Sequence, residues 1–237
     1  MNIEAEFVRS AAAARDLPRD GLPEIALVGR SNVGKSSLIN ALVRRRVART
    51  SAAPGKTRLA NIYRVVSCGS APFYLVDLPG YGYAPGGAAA ARDFDALTRA
   101  YFGRVGQVGR VDGAALLLVD ARHPGLATDR SAWQWLTANV DRLGIVATKI
   151  DKLSRGDRIR AVSALESVYE HPVVPVSAVT GEGLDDLWIL MDRLLSSSNS
   201  NRNSSSRAPR RRSRSPRPEA MGARAATATP DRPRRKS

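Results

Sequence analysis

Ile25-Ala-Leu-Val-Gly-Arg-Ser-Asn-Val-Gly-Lys-Ser36 is an apolar run followed without a gap by the pattern G-x-x-x-x-G-K-[ST]. The run reads as a buried strand and the residues after Gly34 as the start of a helix, so the pattern stands at a strand-to-helix turn. Gly29 and Gly34 let the backbone curl until successive N–H groups point at one anion. Lys35 supplies a mobile positive charge, and the Ser36 hydroxyl is placed to ligate Mg²⁺. The positive end of the helix that continues through Ser37 faces the same anion. Gly29, Arg30, Ser31, Asn32, Val33, Gly34, Lys35, Ser36 and Ser37 are therefore the phosphate-binding set of a nucleotide-binding chain.

Outward from this turn, apolar runs recur at Ile25–Val28, Ile62–Val66, Phe73–Val76, Ala114–Val119, Leu143–Ala147 and Val173–Val176. Between them lie helix-like stretches at 35–46, 92–103, 127–139, 156–170 and 183–195, the last with Leu184, Leu187, Trp188, Met191, Leu194 and Leu195 at helical spacing. This alternation predicts an α/β fold of three layers, a mostly parallel sheet of about six strands covered by helices on both faces. Ser67-Cys-Gly-Ser70 is too short for a crossover helix, so the strands it joins form the one antiparallel hairpin. Residues 1–22 read as a lead-in, 23–195 as one nucleotide-binding domain, and 196–237 as a disordered tail of Arg, Ser and Pro. The tail carries twelve basic residues against two acids, +10 of the chain's +15, so the folded part is only mildly basic. Its charge suits RNA phosphates, and its lack of aromatic residues argues against base stacking.

One cysteine, Cys68, gives no disulfide framework. Glu4 and Glu6 near the N-terminus do not suit a signal peptide, and no apolar run approaches the ~20 residues of a membrane span. A cytoplasmic protein with no membrane partner is expected. His123 and His171 lack ligand-spaced partners, and the three tryptophans fall in helix patterns, where packing accounts for them.

Further chemistry stands at the ends of other predicted strands, where ligands bind in such sheets. Asp77-Leu-Pro-Gly80 closes the Phe73–Val76 strand: Asp77 reaches Mg²⁺ through water, as an ion that takes few carboxylates requires, and Gly80 offers a bare N–H to a γ-phosphate. Thr148-Lys-Ile-Asp151 and Ser177-Ala178 follow the next two strands. Asp151 would accept two hydrogen bonds from guanine N1–H and its exocyclic amine, a donor pair that adenine lacks. The Lys149 stem covers the base plane and the Ala178 N–H serves guanine O6.

Together these elements resemble the translation-factor class of P-loop GTPases. The strings GRSNVGKSSLINAL (29–42), SAAPGKTR (51–58), DLPGYGYA (77–84), VDARH (119–123), TKIDK (148–152) and PVSA (175–178) closely resemble the EngB (YihA/YsxC) family of ribosome-assembly GTPases, over about residues 5–195. Tyr81-Gly-Tyr83 and Thr at 148 point to this family rather than a Ras-like one. The resemblance implies GTP and GDP as ligands and a monomeric switch in assembly of the large ribosomal subunit, linked to normal cell division and septation. Its partner would be a large-subunit precursor or rRNA. It also implies a first switch at Pro54, Gly55, Lys56 and Thr57, with Lys35, Thr57 and Gly80 as the catalytic set. Ser36, Thr57 and Asp77 would hold Mg²⁺. The base site comprises Thr148, Lys149, Asp151, Val176, Ser177 and Ala178; Leu78 and Pro79 complete the second-switch turn. Where Ras-like enzymes place a glutamine to orient water, this chain has Tyr81, which implies slow intrinsic hydrolysis. Asn32 matches the position at which related GTPases hold K⁺, so potassium-stimulated turnover is expected. An RNA-binding scaffold with negligible turnover is the competing reading; a P-loop kinase is disfavoured by the guanine-specific TKID and Ser-Ala elements.

Overall fold

Among the described residues seven strands form one sheet in the order β1-β3-β4-β2-β5-β6-β7: β1 (Ile3–Ala11), β2 (Glu24–Gly29), β3 (Ala60–Ser67), β4 (Phe73–Asp77), β5 (Gly113–Asp120), β6 (Leu143–Thr148) and β7 (Val173–Pro175). The computed structural model describes residues 3–48, 59–67, 71–81, 97–103 and 113–205. From β4 to β7 neighbouring strands pair parallel, whereas β3 runs antiparallel to both β1 and β4. The expected hairpin is thus present at β3–β4.

The parallel centre follows from side-chain alternation on strands covered on both faces. In β2, Ala26 and Val28 face one core while Ile25 and Leu27 face the other, and in β5 Ala115, Leu117 and Val119 alternate with Ala114, Leu116 and Leu118. Every residue of both strands is buried, which is why each reads as an unbroken apolar run. On one face lie α1 (Lys35–Leu42), through Leu38, Ile39 and Leu42, and the last helix, through Leu187, Trp188, Met191 and Leu194. On the other lie α2 (Ala127–Asn139), α3 (Arg155–Tyr169) and the helical residues 97–102, through Trp133, Leu136, Leu165, Tyr169, Leu97, Tyr101 and Phe102. The last helix, α4, spans Leu184–Ser205, longer than the 183–195 stretch that its apolar spacing marks.

The lead-in holds a strand that the apolar-run reading does not contain, and the sheet therefore has seven strands rather than six. In β1 only Ala5 and Ala11 are buried, and the rest is partly or fully exposed edge. Small buried residues among Glu4, Glu6, Arg9 and Ser10 leave no apolar run. Pairing with β3, with an irregularity between Phe7 and Arg9, holds the strand in place. Trp133 and His171 meet edge to face at 5.2 Å and Trp188 packs on Phe73 at 6.3 Å, so these aromatics and His171 are packing groups. The predicted turn residue Cys68 and the segment 206–237 lie outside the described residues.

This topology brings Gly29, Asp77, Asp120 and Thr148, the last residues of four parallel strands, to one edge of the sheet.

Candidate nucleotide-binding site

At the end of β2 the backbone turns where side chains are not tolerated. A Cβ on Gly29 would lie 2.8 Å from the Leu118 carbonyl and 2.9 Å from Val33 Cγ1. Gly34, which caps α1, has φ +112°, a conformation open to glycine. Asn32 is also left-handed, at φ 61°. Among the described residues the N–H groups of Asn32, Gly34, Lys35 and Ser36 make no hydrogen bond, so the helix start and the loop before it present their donors together. Lys35 is buried and its ammonium donates to the Gly29 and Arg30 carbonyls at 3.2 and 3.4 Å. Burial pushes its pKa down, against the opposing charge of Asp77.

Ser36 Oγ donates to Asp77 Oδ2 at 2.8 Å, while Asp77 Oδ1 is buried and, among the described residues, has no partner. An orphaned carboxylate oxygen beside a serine hydroxyl fits a divalent cation that keeps most of its waters. No cluster of three or more His, Cys, Asp or Glu that could hold a metal ion exists among the described residues. Burial raises the Asp77 pKa, and Lys35 and Ser36 oppose that rise. Gly80 follows two buried residues, Leu78 and Pro79, and Leu78 belongs to the core rather than to the ligand side. A Cβ on Gly80 would lie 2.6 Å from the Ser31 amide nitrogen, so the segment is laid directly on the phosphate loop. The Gly80 N–H is unbonded among the described residues.

The base side is built from β6 and the segment after β7. Ser177, fully buried, donates from Oγ to Asp151 Oδ1 at 2.8 Å and accepts the N–H groups of Val179 and Thr180. Burial pushes the Asp151 carboxyl up, but the bonds from Ser177 and Lys152 outweigh it and hold it below the usual carboxylate range. The Ala178 N–H is unbonded among the described residues, while Val176 is buried and spends its N–H on Ala147. Thr148 is buried as a buttress: its hydroxyl lies 2.7 Å from the Val33 carbonyl and 3.1 Å from that of Val119, tying the phosphate loop to the base side. Lys149, at φ 63°, sends its ammonium to the Asn32 carbonyl at 2.6 Å and to Asp120 Oδ2 at 2.9 Å.

With this geometry in place, comparison with known proteins decides the family. The 50S ribosome-binding GTPase family matches residues 24–149, more than half of the chain. A probable GTP-binding protein EngB from Heliobacterium modesticaldum is 42% identical over 194 residues, which cover 80% of this chain and 91% of the relative. The chain belongs to the EngB family of GTP-binding proteins. Its counterpart from Chlorobaculum tepidum is 41% identical over 81% of this chain and 98% of the relative. Among solved structures, a probable GTP-binding protein EngB aligns with TM-score 0.55 at 21% identity, over 73% of this chain and 99% of that one. Era from Aquifex aeolicus, bound to GDP and AlF4⁻, aligns with TM-score 0.61 at 24% identity, over 72% and 56% of the two chains. At these identities the solved structures speak for the fold alone. GTP and GDP binding and a GTPase domain come with membership of the EngB family, and Mg²⁺ generally does too.

The predicted first-switch residues Pro54, Gly55, Lys56 and Thr57 lie outside the described residues; the other predicted site residues gather at the edge where β2, β4, β6 and β7 end. Two acids were missed by the sequence reading. Asp120, at the end of β5, is buried and accepts Arg122 Nε and Nη2 at 2.9 and 2.7 Å as well as Lys149. Burial pushes its pKa up, but the bonds from Arg122 and then Lys149 prevail and hold it well below the usual range. A carboxylate held down in this way contributes stability above about pH 4, and that stability is lost as the pH falls through the folded value. Asp120→Asn is therefore expected to cost about 2 kcal/mol at neutral pH, with the gap to the parent closing below pH ~4 in melting temperatures taken across pH. The second acid, Asp129 in the first turn of α2, accepts the Tyr81 hydroxyl at 2.9 Å. Among the described residues no helix is long and apolar enough to cross a membrane.

Proposed function

We propose that this EngB family member is a slow GTPase whose GTP-bound form engages a large ribosomal subunit precursor or its rRNA, and whose hydrolysis ends that engagement. The observation that carries the reading is the placement, at one sheet edge, of the free phosphate-loop N–H groups, the Ser36–Asp77 pair with its unmet oxygen, and the Ser177-braced Asp151. A site that only anchored a nucleotide would not need an acid and a glycine where the terminal phosphate lies.

In this reading Lys35 and the loop N–H groups bind and orient the phosphates, Ser36 and Asp77 hold Mg²⁺ with Thr57, and Asp151 selects guanine. Bound Mg²⁺ supplies charge neutralisation at the phosphates. Contacts of the segments near 47–60 and 80–92 with the γ-phosphate would then create the partner surface. The low rate rests on Tyr81: it stands where a water-orienting glutamine is found elsewhere, and its hydroxyl is spent on Asp129. Asn32 would hold K⁺ beside the phosphates. The chain would act as a cytoplasmic monomer with a link to cell division, and the basic tail would add non-specific RNA affinity.

GTP turnover measured in K⁺ and in Na⁺, with and without purified large ribosomal subunits, tests the proposal. Turnover is expected to rise about tenfold in K⁺, equivalent to about 1.4 kcal/mol of barrier, and to rise further with subunits. Equal rates in both salts would remove the cation role, and a rate indifferent to subunits would remove the partner.

A further inference from the structure

The described residues contain a half-buried polar cluster joining three segments far apart in sequence: Arg30 in the phosphate loop, Tyr81 directly after Gly80, and the fully buried Asp129 at the start of α2. The Tyr81 hydroxyl donates to Asp129 Oδ1 at 2.9 Å, and Arg30 Nε lies 3.2 Å from the same oxygen. The backbones meet as well. Tyr81 and Arg30 form a parallel bridge in which Ser31 N–H donates to the Tyr81 carbonyl at 2.9 Å and Tyr81 N–H to the Gly29 carbonyl at 3.3 Å. Gly80 is thereby pressed on Ser31, where a Cβ would not fit.

A stability role does not account for Asp129. Its side chain is 1% exposed and, among the described residues, its Oδ2 has no partner, so the carboxylate carries an unmet acceptor in the interior, which costs a fold stability. Burial raises its pKa, against the Tyr81 hydroxyl and Arg30, and burial also raises that of Tyr81, so the phenol keeps its proton and remains a donor. What the carboxylate accomplishes is location: water cannot replace the lost bond at this depth, so Tyr81 cannot leave without stripping Asp129 of its hydroxyl donor and leaving it only the Arg30 contact.

We propose that Asp129 is a positioning residue for the γ-phosphate contact: through Tyr81, and in register with Arg30, it holds the Gly80 N–H over the phosphate loop. It touches neither nucleotide nor metal. Tyr81 is then not a substitute for a water-orienting glutamine but an anchor pulled toward α2. The inference rests on the reading of Gly80 as a donor to the terminal phosphate.

The test measures affinities of the full chain for methylanthraniloyl derivatives of GDP and of the non-hydrolysable GTP analogue GMPPNP. Tyr81→Phe, which deletes one oxygen, and Asp129→Asn are each expected to lower GMPPNP affinity about tenfold while GDP affinity stays within about twofold. The double variant should fall no more than about threefold below either single one, because both break the same bond. Losses equal for the two nucleotides would mean a merely structural role, and an unchanged ratio, or effects that add, would also overturn the proposal. If Asp129→Asn fails to fold, Tyr81→Phe carries the test alone. Gly80→Ala separates the two readings. If it leaves the GMPPNP-to-GDP ratio intact, the γ-phosphate contact falls and this inference with it; if it lowers the ratio while Tyr81→Phe does not, only the role of Asp129 falls.

Discussion

Asp151→Asn is expected to lower GTP affinity by at least about 100-fold and to produce a site that prefers xanthine nucleotides. The carboxylate is held below the usual range and braced by Ser177 at 2.8 Å, so in the proposed reading it would meet guanine as a fixed double acceptor. Each hydrogen bond to a charged group contributes about 1.5–3 kcal/mol, and two are lost together when an amide presents a donor to the exocyclic amine. Xanthine carries a carbonyl in place of that amine, so the same amide N–H becomes a match. Competition of GTP, ATP and XTP against a labelled nucleotide reads the result. A variant that kept its preference for GTP would mean that Asp151 does not contact the base. Because Ser177 retains its bonds to the Val179 and Thr180 N–H groups, the loop geometry should survive the change.

Asp77→Asn should abolish most of the gain in GTP affinity that Mg²⁺ gives, a reduction of about 10- to 100-fold in that increment, while metal-free GDP binding changes little. The substitution keeps an acceptor for the Ser36 hydroxyl and removes the charge, so the two contributions separate. Lys35 provides an internal check. Its ammonium is buried, and Asp77 is the opposing charge that offsets the burial, so in the variant Lys35 loses that offset and should depend more on the nucleotide for its neutralisation. Titrating GTP in magnesium and in EDTA, for both proteins, measures the increment. An undiminished increment would place the metal elsewhere.

What could be read from the sequence was what spacing encodes. The pattern is contiguous, so the strand-to-helix turn that carries Gly29, Lys35 and Ser36 was legible, and β2 and β5 were legible because strands buried on both faces carry unbroken apolar runs. The helical spacing at 127–139 gave α2 with both bounds. β1 was not legible: at a sheet edge it needs only Ala5 and Ala11 inside, and backbone pairing to β3 does the rest. The sequence reading also ended the final helix with its apolar pattern, whereas α4 continues to Ser205. Asp120 and Asp129 were missed for one reason. Each is an isolated acid whose role appears only when the sheet carries Lys149 or Tyr81 to it across 29 or 48 residues. Thr148 illustrates the same limit, since its position marked a base site but its hydroxyl serves Val33, 115 residues away.

If guanine nucleotide state controls engagement of the ribosomal particle, co-sedimentation with purified large ribosomal subunits will show it. The protein is expected to pellet with subunits in the presence of GMPPNP and to stay in solution with GDP, and Asp151→Asn to pellet with the subunits when given XTP but not when given GTP. Equal pelleting with GMPPNP, with GDP and without nucleotide would contradict it.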